Sequence, residues 1–343
     1  MTHRSRPPLA GLLTIVTVVF AACGGSTGSA SPVASASAPA IATPTAAPSP
    51  TPTPAPTPTP APSFPITLTD DQGTAVTIDA APAKIVSLTP AATEILFKLG
   101  VGPRTVAKAE DIDPFPPGAD ALPIVARYTG VDIERIVALE ADLVIADTLN
   151  PTDAITQLRG LGLPVIVLSA SSIDGAMKDI ELVGDAVGAG GAARDVTASM
   201  RARFDQLGAA TAGLARPRVF YEVGAGDTIY TIPDPSIYAE MLRLAGSEPI
   251  TTDSSYVISL EKLVAADPEV ILIGDLSPVA DVAARPGWSG LRAVKNGSIV
   301  LVNDTIVTRP GPRLVDGLAA LITAIHPEVV VPSPVPSPVP SAP

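Results

Sequence analysis

Asp132-Ile133-Glu134-Arg135-Ile136-Val137-Ala138-Leu139-Glu140-Ala141-Asp142-Leu143-Val144-Ile145 returns later in the chain as Ser259-Leu260-Glu261-Lys262-Leu263-Val264-Ala265-Ala266-Asp267-Pro268-Glu269-Val270-Ile271-Leu272. Each copy reads as a helix running into a buried strand. An Asp or Ser able to cap comes first, an acid and a base fill the first turn, an apolar stripe follows, and consecutive β-branched or Leu residues end the unit. A second pair points the same way: Glu94, Leu96 and Gly100 have the spacing of Glu240, Leu242 and Gly246. The chain therefore reads as an α/β protein of two similar lobes, and the cleft between such lobes is where a ligand is expected.

Working outward, residues 66–78 alternate around Asp71-Gln72-Gly73 and predict an opening β-hairpin. Short apolar runs at 84–88, 143–146 and 164–168, separated by helical stretches, predict a mainly parallel sheet flanked by helices. Runs at 218–223, 270–273 and 298–302 predict a second. Between them a helical stretch over 173–214 is interrupted near Gly188, Gly190 and Gly191. Its second half spaces Val196, Met200, Phe204 and Leu207 on one face, so one long backbone helix is expected to join the lobes. The expected boundaries are 64–191 for the first lobe, 192–216 for the interlobe helix and 217–328 for the second lobe.

Residues 1–22 carry Arg4 and Arg6, then an apolar run from Leu9 to Phe20, and end at the chain's single cysteine, Cys23. The pattern resembles a bacterial lipoprotein signal peptide, with Cys23 as the lipidated residue, because the run is shorter than the roughly 20 residues that span a bilayer. The expected location is the outer face of the cytoplasmic membrane. Residues 23–63 are almost wholly Ser, Ala, Thr, Pro and Gly and read as a semi-rigid tether. A Pro-rich tail is expected at 329–343. The net charge of −12 lacks any basic stripe and argues against nucleic acid as a partner.

In this order the motifs resemble those of a known family, the class III substrate-binding proteins of ABC importers for ferric siderophores, haem and cobalamin. The resemblance covers most of residues 83–327. It rests on Ser87-Leu88-Thr89-Pro90 with Glu94 and Leu99-Gly100, on the two repeat copies above, and on Arg309-Pro310-Gly311-Pro312-Arg313. It implies a permease and an ATPase as partners, a metal chelate as ligand, and no cofactor or metal of the protein's own. It also implies that Glu134 and Glu261 dock to permease arginines, although an acid in a first turn also offsets the helix dipole. A monomer is expected. Glu94 and Glu240 are read as structural acids at helix starts.

Ligands of α/β lobes lie at the carboxyl ends of strands, which directs attention to loops beginning at Thr89, Thr148, Gly224 and Asn303. Thr89 and Pro90 follow the first strand. The resemblance places an aromatic or cationic contact at Tyr128, and Arg127 beside it is suited to a carboxylate or amide. Tyr230, Tyr256 and Arg309 are the candidates of the second lobe. Trp288 reads as a packing residue. The loop 126–130 lacks the family's usual Gly-Gly or Gly-Tyr, and 254–258 is a residue short, both where specificity would be read.

An enzyme fits less well. The chain has two histidines, of which His3 belongs to the leader and His326 precedes the tail, so neither a Ser-His nor a Cys-His centre can be assembled comfortably. A zinc site would be almost wholly carboxylate. Glycine-rich phosphate loops are absent, since residues 188–191 lack the strand-to-helix setting and the following Lys. With 34 acids present, paired carboxylates of a carbohydrate-active enzyme stay open, as does haem in place of a siderophore or cobalamin.

Overall fold

The computed structural model describes residues 63–113, 115–224, 228–274 and 279–333. The leader, Cys23, all but the last residue of the tether, and the tail beyond residue 333 lie outside the described residues.

The chain enters through the expected hairpin, β1 (Ile66–Thr69) and β2 (Ala75–Ile78), with Ile66 opposite Ile78 and Thr69 opposite Ala75. Gly73 turns it at φ 76°, a backbone region that glycine enters without steric cost. Asp70 fixes the turn to the first lobe. Its buried carboxylate accepts from the Gln72 and Thr74 amides and from Arg159 at 2.6 Å, and the Asp71 amide donates to the Val167 carbonyl.

The first lobe follows as β3 (Ile85–Ser87), α1 (Pro90–Lys98), β4 (Thr105–Ala109), β5 (Ile124–Arg127), β6 (Gly130–Val131), α2 (Ile133–Ala138), β7 (Leu143–Asp147), α3 (Thr152–Gly160) and β8 (Val165–Leu168). Its sheet runs β6-β5-β4-β3-β7-β8, parallel except for β5 with β6. After α4 (Ile173–Ala186) and α5 (Gly190–Thr211) comes the second lobe. It comprises β9 (Arg218–Gly224), β10 (Ile229–Thr231), α6 (Ile237–Leu244), β11 (Glu248–Pro249), β12 (Val257–Ile258), α7 (Leu260–Ala266) and β13 (Val270–Ile273). It ends with α8 (Val279–Ala283), α9 (Arg292–Asn296), β14 (Ile299–Leu301), α10 (Asp304–Val307) and α11 (Leu314–Ile325). The second sheet runs β12-β10-β9-β13-β14, with β11 parallel to the start of β9.

Both sheets put their first parallel strand in the middle, so β3 and β9 each have later strands on both sides. That reversal of strand order opens a crevice at the carboxyl ends, the usual ligand position in such sheets. The repeat is realised physically: α2 and α7 have the same cap, Asp132 accepting from the Arg135 amide and Ser259 from the Lys262 amide. Ile136 and Leu263, the equivalent anchors, are both fully buried.

Among the described residues no strand crosses between the two sheets. The predicted long helix is α5, and a break at residues 187–189, with Gly188 at φ 77°, separates it from α4. Each sheet has its own outer core: Ile136, Ile155 and Leu158 pack under the first, and Phe220, Leu263 and Trp288 under the second. Trp288 meets Phe220 edge to face, in keeping with a packing role. The inner core is common to both lobes, running from Ile95 and Ile145 through Ile180, Met200 and Phe204 to Leu242, Leu272 and Leu318. The lobes are thus welded by a helical layer rather than hung on a hinge. Strands β4 and β5 were not anticipated from sequence, because Thr105-Val106-Ala107-Lys108-Ala109 has neither clean alternation nor a long apolar run.

The weld depends on close approach of α4 and α5. A Cβ on Gly184 would fall 2.3 Å from the Cβ of Ala193. Gly184→Ala should therefore destabilise the protein by about 1–3 kcal/mol in urea unfolding, despite alanine's higher helix propensity. An increase in stability would show that the helices separate freely.

Candidate functional site

Thr89 is buried, and its hydroxyl accepts from the Ala92 amide at 3.2 Å, while its carbonyl accepts from the Ser87 and Thr93 hydroxyls. Pro90 occupies the first turn of α1, where its missing N–H costs nothing. Both residues therefore start a helix at the edge of the crevice. Asn150, after β7, donates to the Leu88 carbonyl at 3.1 Å and closes the gap between β3 and β7.

The dominant feature is an ion cluster that crosses from lobe to lobe. From α1, Glu94 presents a carboxylate that is 1% exposed, and two arginines of the second lobe share it. Arg309 donates Nη1 to Glu94 at 3.0 Å and to Asp111 at 2.9 Å. Arg313 donates Nε to Glu94 at 3.0 Å and Nη2 to Asp113 at 2.9 Å, with its guanidinium 4.0 Å above the centre of the Phe115 ring. Thr305 adds a hydroxyl bond to Asp113 at 3.2 Å. Burial pushes the Asp113 carboxyl up, but the Arg313 hydrogen bond and charge outweigh it, so the pKa lies below the ordinary aspartate value. Arg309, a ligand candidate from sequence, thus has both terminal nitrogens engaged, by carboxylates of the opposite lobe rather than of its own.

Glu240, the counterpart of Glu94, also reaches across: from α6 it accepts from the Ile173 amide at the start of α4 at 2.8 Å. The two acids read as local helix-start residues are in fact paired interlobe contacts. In addition, Glu94 stands in the second turn of its helix rather than the first.

Tyr128 projects wholly into solvent, and Arg127 makes an exposed pair with Glu110 at 3.2 Å. Beside them an open recess of about 290 Å³ is lined by Val125, Arg127, Thr129 and Asp132. Tyr230 and Tyr256 are exposed at 44% and 59% on adjacent segments, joined by the bond from the Thr231 amide to the Tyr256 carbonyl. Two residues that the sequence reading did not single out, Ile112 after β4 and Leu149 after β7, are 82% and 90% exposed in carboxyl-end connections of the first sheet. The signal was present as a lone aliphatic flanked by polar residues in a loop, Asp111-Ile112-Asp113 and Thr148-Leu149-Asn150. The Tyr238 hydroxyl on α6 donates to the Thr308 carbonyl, and burial, with Tyr256 and Asp147 nearby, pushes its pKa up to about 12.

In the second lobe Arg285 holds the buried Glu222 with both terminal nitrogens and stacks over Trp288. The Tyr221 hydroxyl donates to Asp304. Among the described residues no three His, Cys, Asp or Glu side chains are grouped to hold a metal. Glu134 and Glu261 are both exposed near the starts of their helices, and neither makes an ion pair or side-chain hydrogen bond among the described residues.

A family model described as periplasmic binding protein matches residues 85–305. The chain belongs to this family of extracytoplasmic substrate-binding proteins of ABC transporters. It is accordingly a transport protein and not an enzyme, which removes the carbohydrate-active alternative. It is 31% identical over 274 residues to YvrC of Bacillus subtilis, an uncharacterized ABC transporter substrate-binding lipoprotein, covering 77% of this chain and 87% of that one. It is 31% identical over 280 residues to a cobalamin-binding protein of Halobacterium salinarum, covering 77% and 75%. Among solved structures, a periplasmic haem-binding protein of Pseudomonas aeruginosa superposes with a TM-score of 0.65 at 27% identity, covering 74% of this chain and 95% of that one.

Removing Glu94 leaves two arginines in a closed interface without their shared partner. Glu94→Ala should cost about 3 kcal/mol or more, read as a lowered urea midpoint at pH 7. Little or no loss would mean that the cluster relaxes into solvent.

A second test concerns Asp179 on α4, whose pKa is pushed up to about 8, chiefly by burial and then by the Asp71 carboxyl of the hairpin turn. The native state keeps a proton that the unfolded chain releases near pH 4, so the stability due to this proton is present at low pH and lost as pH rises to about 8. Asp179→Asn should abolish that decline and raise the melting temperature at pH 8 more than at pH 5. Equal shifts at both values would refute the assignment.

Proposed function

We propose that this protein is a lipid-anchored carrier that captures an electrically neutral, corrinoid-type metal chelate between its lobes and delivers it to a membrane permease. One observation carries the choice of ligand: the arginines on the carboxyl-end connections are matched by the protein's own carboxylates. Arg309 and Arg313 are held by Glu94, Asp111 and Asp113, Arg285 by Glu222, and Arg127 by Glu110. The undescribed stretches 225–227 and 275–278 contain no Lys or Arg. A polyanionic ferric chelate entering such a cleft would displace internal ion pairs and face uncompensated acids, at a desolvation cost its binding would have to exceed. A neutral corrinoid, apolar on its faces and rimmed by amides, suits exposed tyrosines and aliphatics instead. In this reading Tyr128, Tyr230 and Tyr256, joined by Ile112 and Leu149, form the contact surface. Among these four arginines Arg127 is the most readily released, since an exposed pair such as Arg127 with Glu110 is worth little. Thr89, Pro90 and Arg309 shape the cleft behind them. The cobalamin-binding relative supports the same class.

Haem is the second reading, favoured by the full exposure of Tyr128 and by the haem-binding structure of similar fold. Of the four arginines named, its two propionates would find only Arg127 readily released. On the membrane side, Cys23 supplies the lipid anchor, and Glu134 and Glu261 present one unpaired carboxylate per lobe to basic residues of the permease.

The test is fluorescence titration of the mature protein with cyanocobalamin, a ferric hydroxamate, a ferric tris-catecholate and haemin, with inner-filter controls. Cyanocobalamin should saturate and lose affinity in Tyr128→Ala, with the trianionic catecholate complex and haemin about tenfold weaker or worse. Tighter binding of either anion would overturn the neutral-chelate reading, and binding of haemin alone would establish the second.

A further inference from the structure

Among the described residues, Leu149 and Ile112 are the two most exposed large aliphatic side chains of the first lobe, yet the turns that carry them are held on both sides. Leu149 follows β7. Its amide donates to the Asp147 carboxylate at 2.7 Å, the Asp147 amide donates to the Asn150 side chain at 2.9 Å, and Asn150 in turn donates to the Leu88 carbonyl. Ile112 follows β4, and both its neighbours are tied to the other lobe. Asp111 accepts from Arg309 at 2.9 Å, and Asp113 accepts from Arg313 at 2.9 Å and from the Thr305 hydroxyl. The Asp113 amide closes this turn on the Asp111 carboxylate at 3.0 Å. Ordering a turn costs conformational entropy, and an aliphatic side chain left in water returns nothing for it within the molecule. The two strands flank β3 in the sheet, so their carboxyl ends lie two strand spacings apart, about 10 Å. The origin of the ties differs: those of Leu149 lie within the first lobe, whereas Ile112 is held by side chains of the second.

We infer that Ile112 and Leu149 form a two-point apolar rest for one face of a flat macrocyclic chelate, and that Arg309 and Arg313 are positioning residues that set the Ile112 point through Asp111 and Asp113. The inference rests on the carrier function proposed above and adds how the second lobe governs a ligand contact made by the first. Two aliphatic points at this separation suit the broad apolar face of a corrin or porphyrin ring, and a compact ferric tris-chelate would engage only one of them. Arg309 and Arg313 also hold Glu94, so closure of the lobes and placement of Ile112 are a single event. A lobe movement that drew the arginines back would withdraw Ile112 from the ring.

The experiment is a double-mutant cycle on the mature lipoprotein, with cyanocobalamin and haemin as probes, binding followed by fluorescence, and the melting temperature recorded for every variant. Ile112→Ala and Leu149→Ala should each weaken binding about tenfold without lowering the melting temperature. Asp113→Ala should weaken binding about fivefold alone and in the Leu149→Ala background, but less than about twofold in the Ile112→Ala background, because its effect passes through Ile112. If Asp113→Ala does not fold, Asp113→Asn takes its place in the cycle. An equal loss in all three backgrounds would make Asp113 merely structural and overturn the positioning role. Full affinity in Ile112→Ala would overturn the contact itself. An additive cycle with cyanocobalamin sinks this inference and leaves the neutral-chelate reading standing. Coupling seen with haemin, with cyanocobalamin not bound, keeps the inference and sinks that reading. Binding of neither probe overturns both.

Discussion

One carboxylate, that of Glu94, settles how the two lobes meet. It is almost completely withdrawn from water and accepts from two arginines that the chain delivers after its other sheet is complete. Such a group is expensive to bury, and the arrangement holds only because Asp111, Asp113, Phe115 and Thr305 complete the surroundings of both guanidinium groups. Each lobe is therefore incomplete electrostatically without the other. Glu240 repeats the logic in lighter form, using a backbone amide of the first lobe as its partner.

The apolar side of the interface acts in the same direction. A single inner core passes through α4, α5, α6 and α11, so rotation of one lobe against the other would open packed surface as well as break ion pairs. A carrier built this way can change its lobe angle only slightly, and its ligand selectivity has to reside in the loops at the rim. Ile112, Tyr128 and Leu149 are exposed apolar side chains in such loops. Arg309 and Arg313 are spent on holding the lobes together.

The duplicated helices α2 and α7 show what duplication contributes. The same local sequence produces the same cap, the same buried anchor and the same exposed pair in both lobes, because cap and anchor depend on residues within one helical turn. Long-range differences between the lobes, including the weak strands β10, β11 and β12, leave this local unit untouched.

The sequence by itself determined the two α/β lobes, the opening hairpin, the long connecting helix and the matched acids, since all of these follow from periodicity and capping over a few neighbouring residues. Tyr128, Tyr230 and Tyr256, chosen as ligand candidates, are exposed in the structure. Strands β4 and β5 escaped it because their stability comes from neighbours in the sheet rather than from their own pattern. The partners of Arg309 and Arg313, the interlobe role of Glu94 and Glu240, and the exposure of Ile112 and Leu149 were decided only by the tertiary structure. Glu94 and Arg313 lie on different lobes, and no local rule states which buried charge a distant arginine will neutralise. That choice is made when the two sheets close over one helical layer and every charge left inside must find a partner.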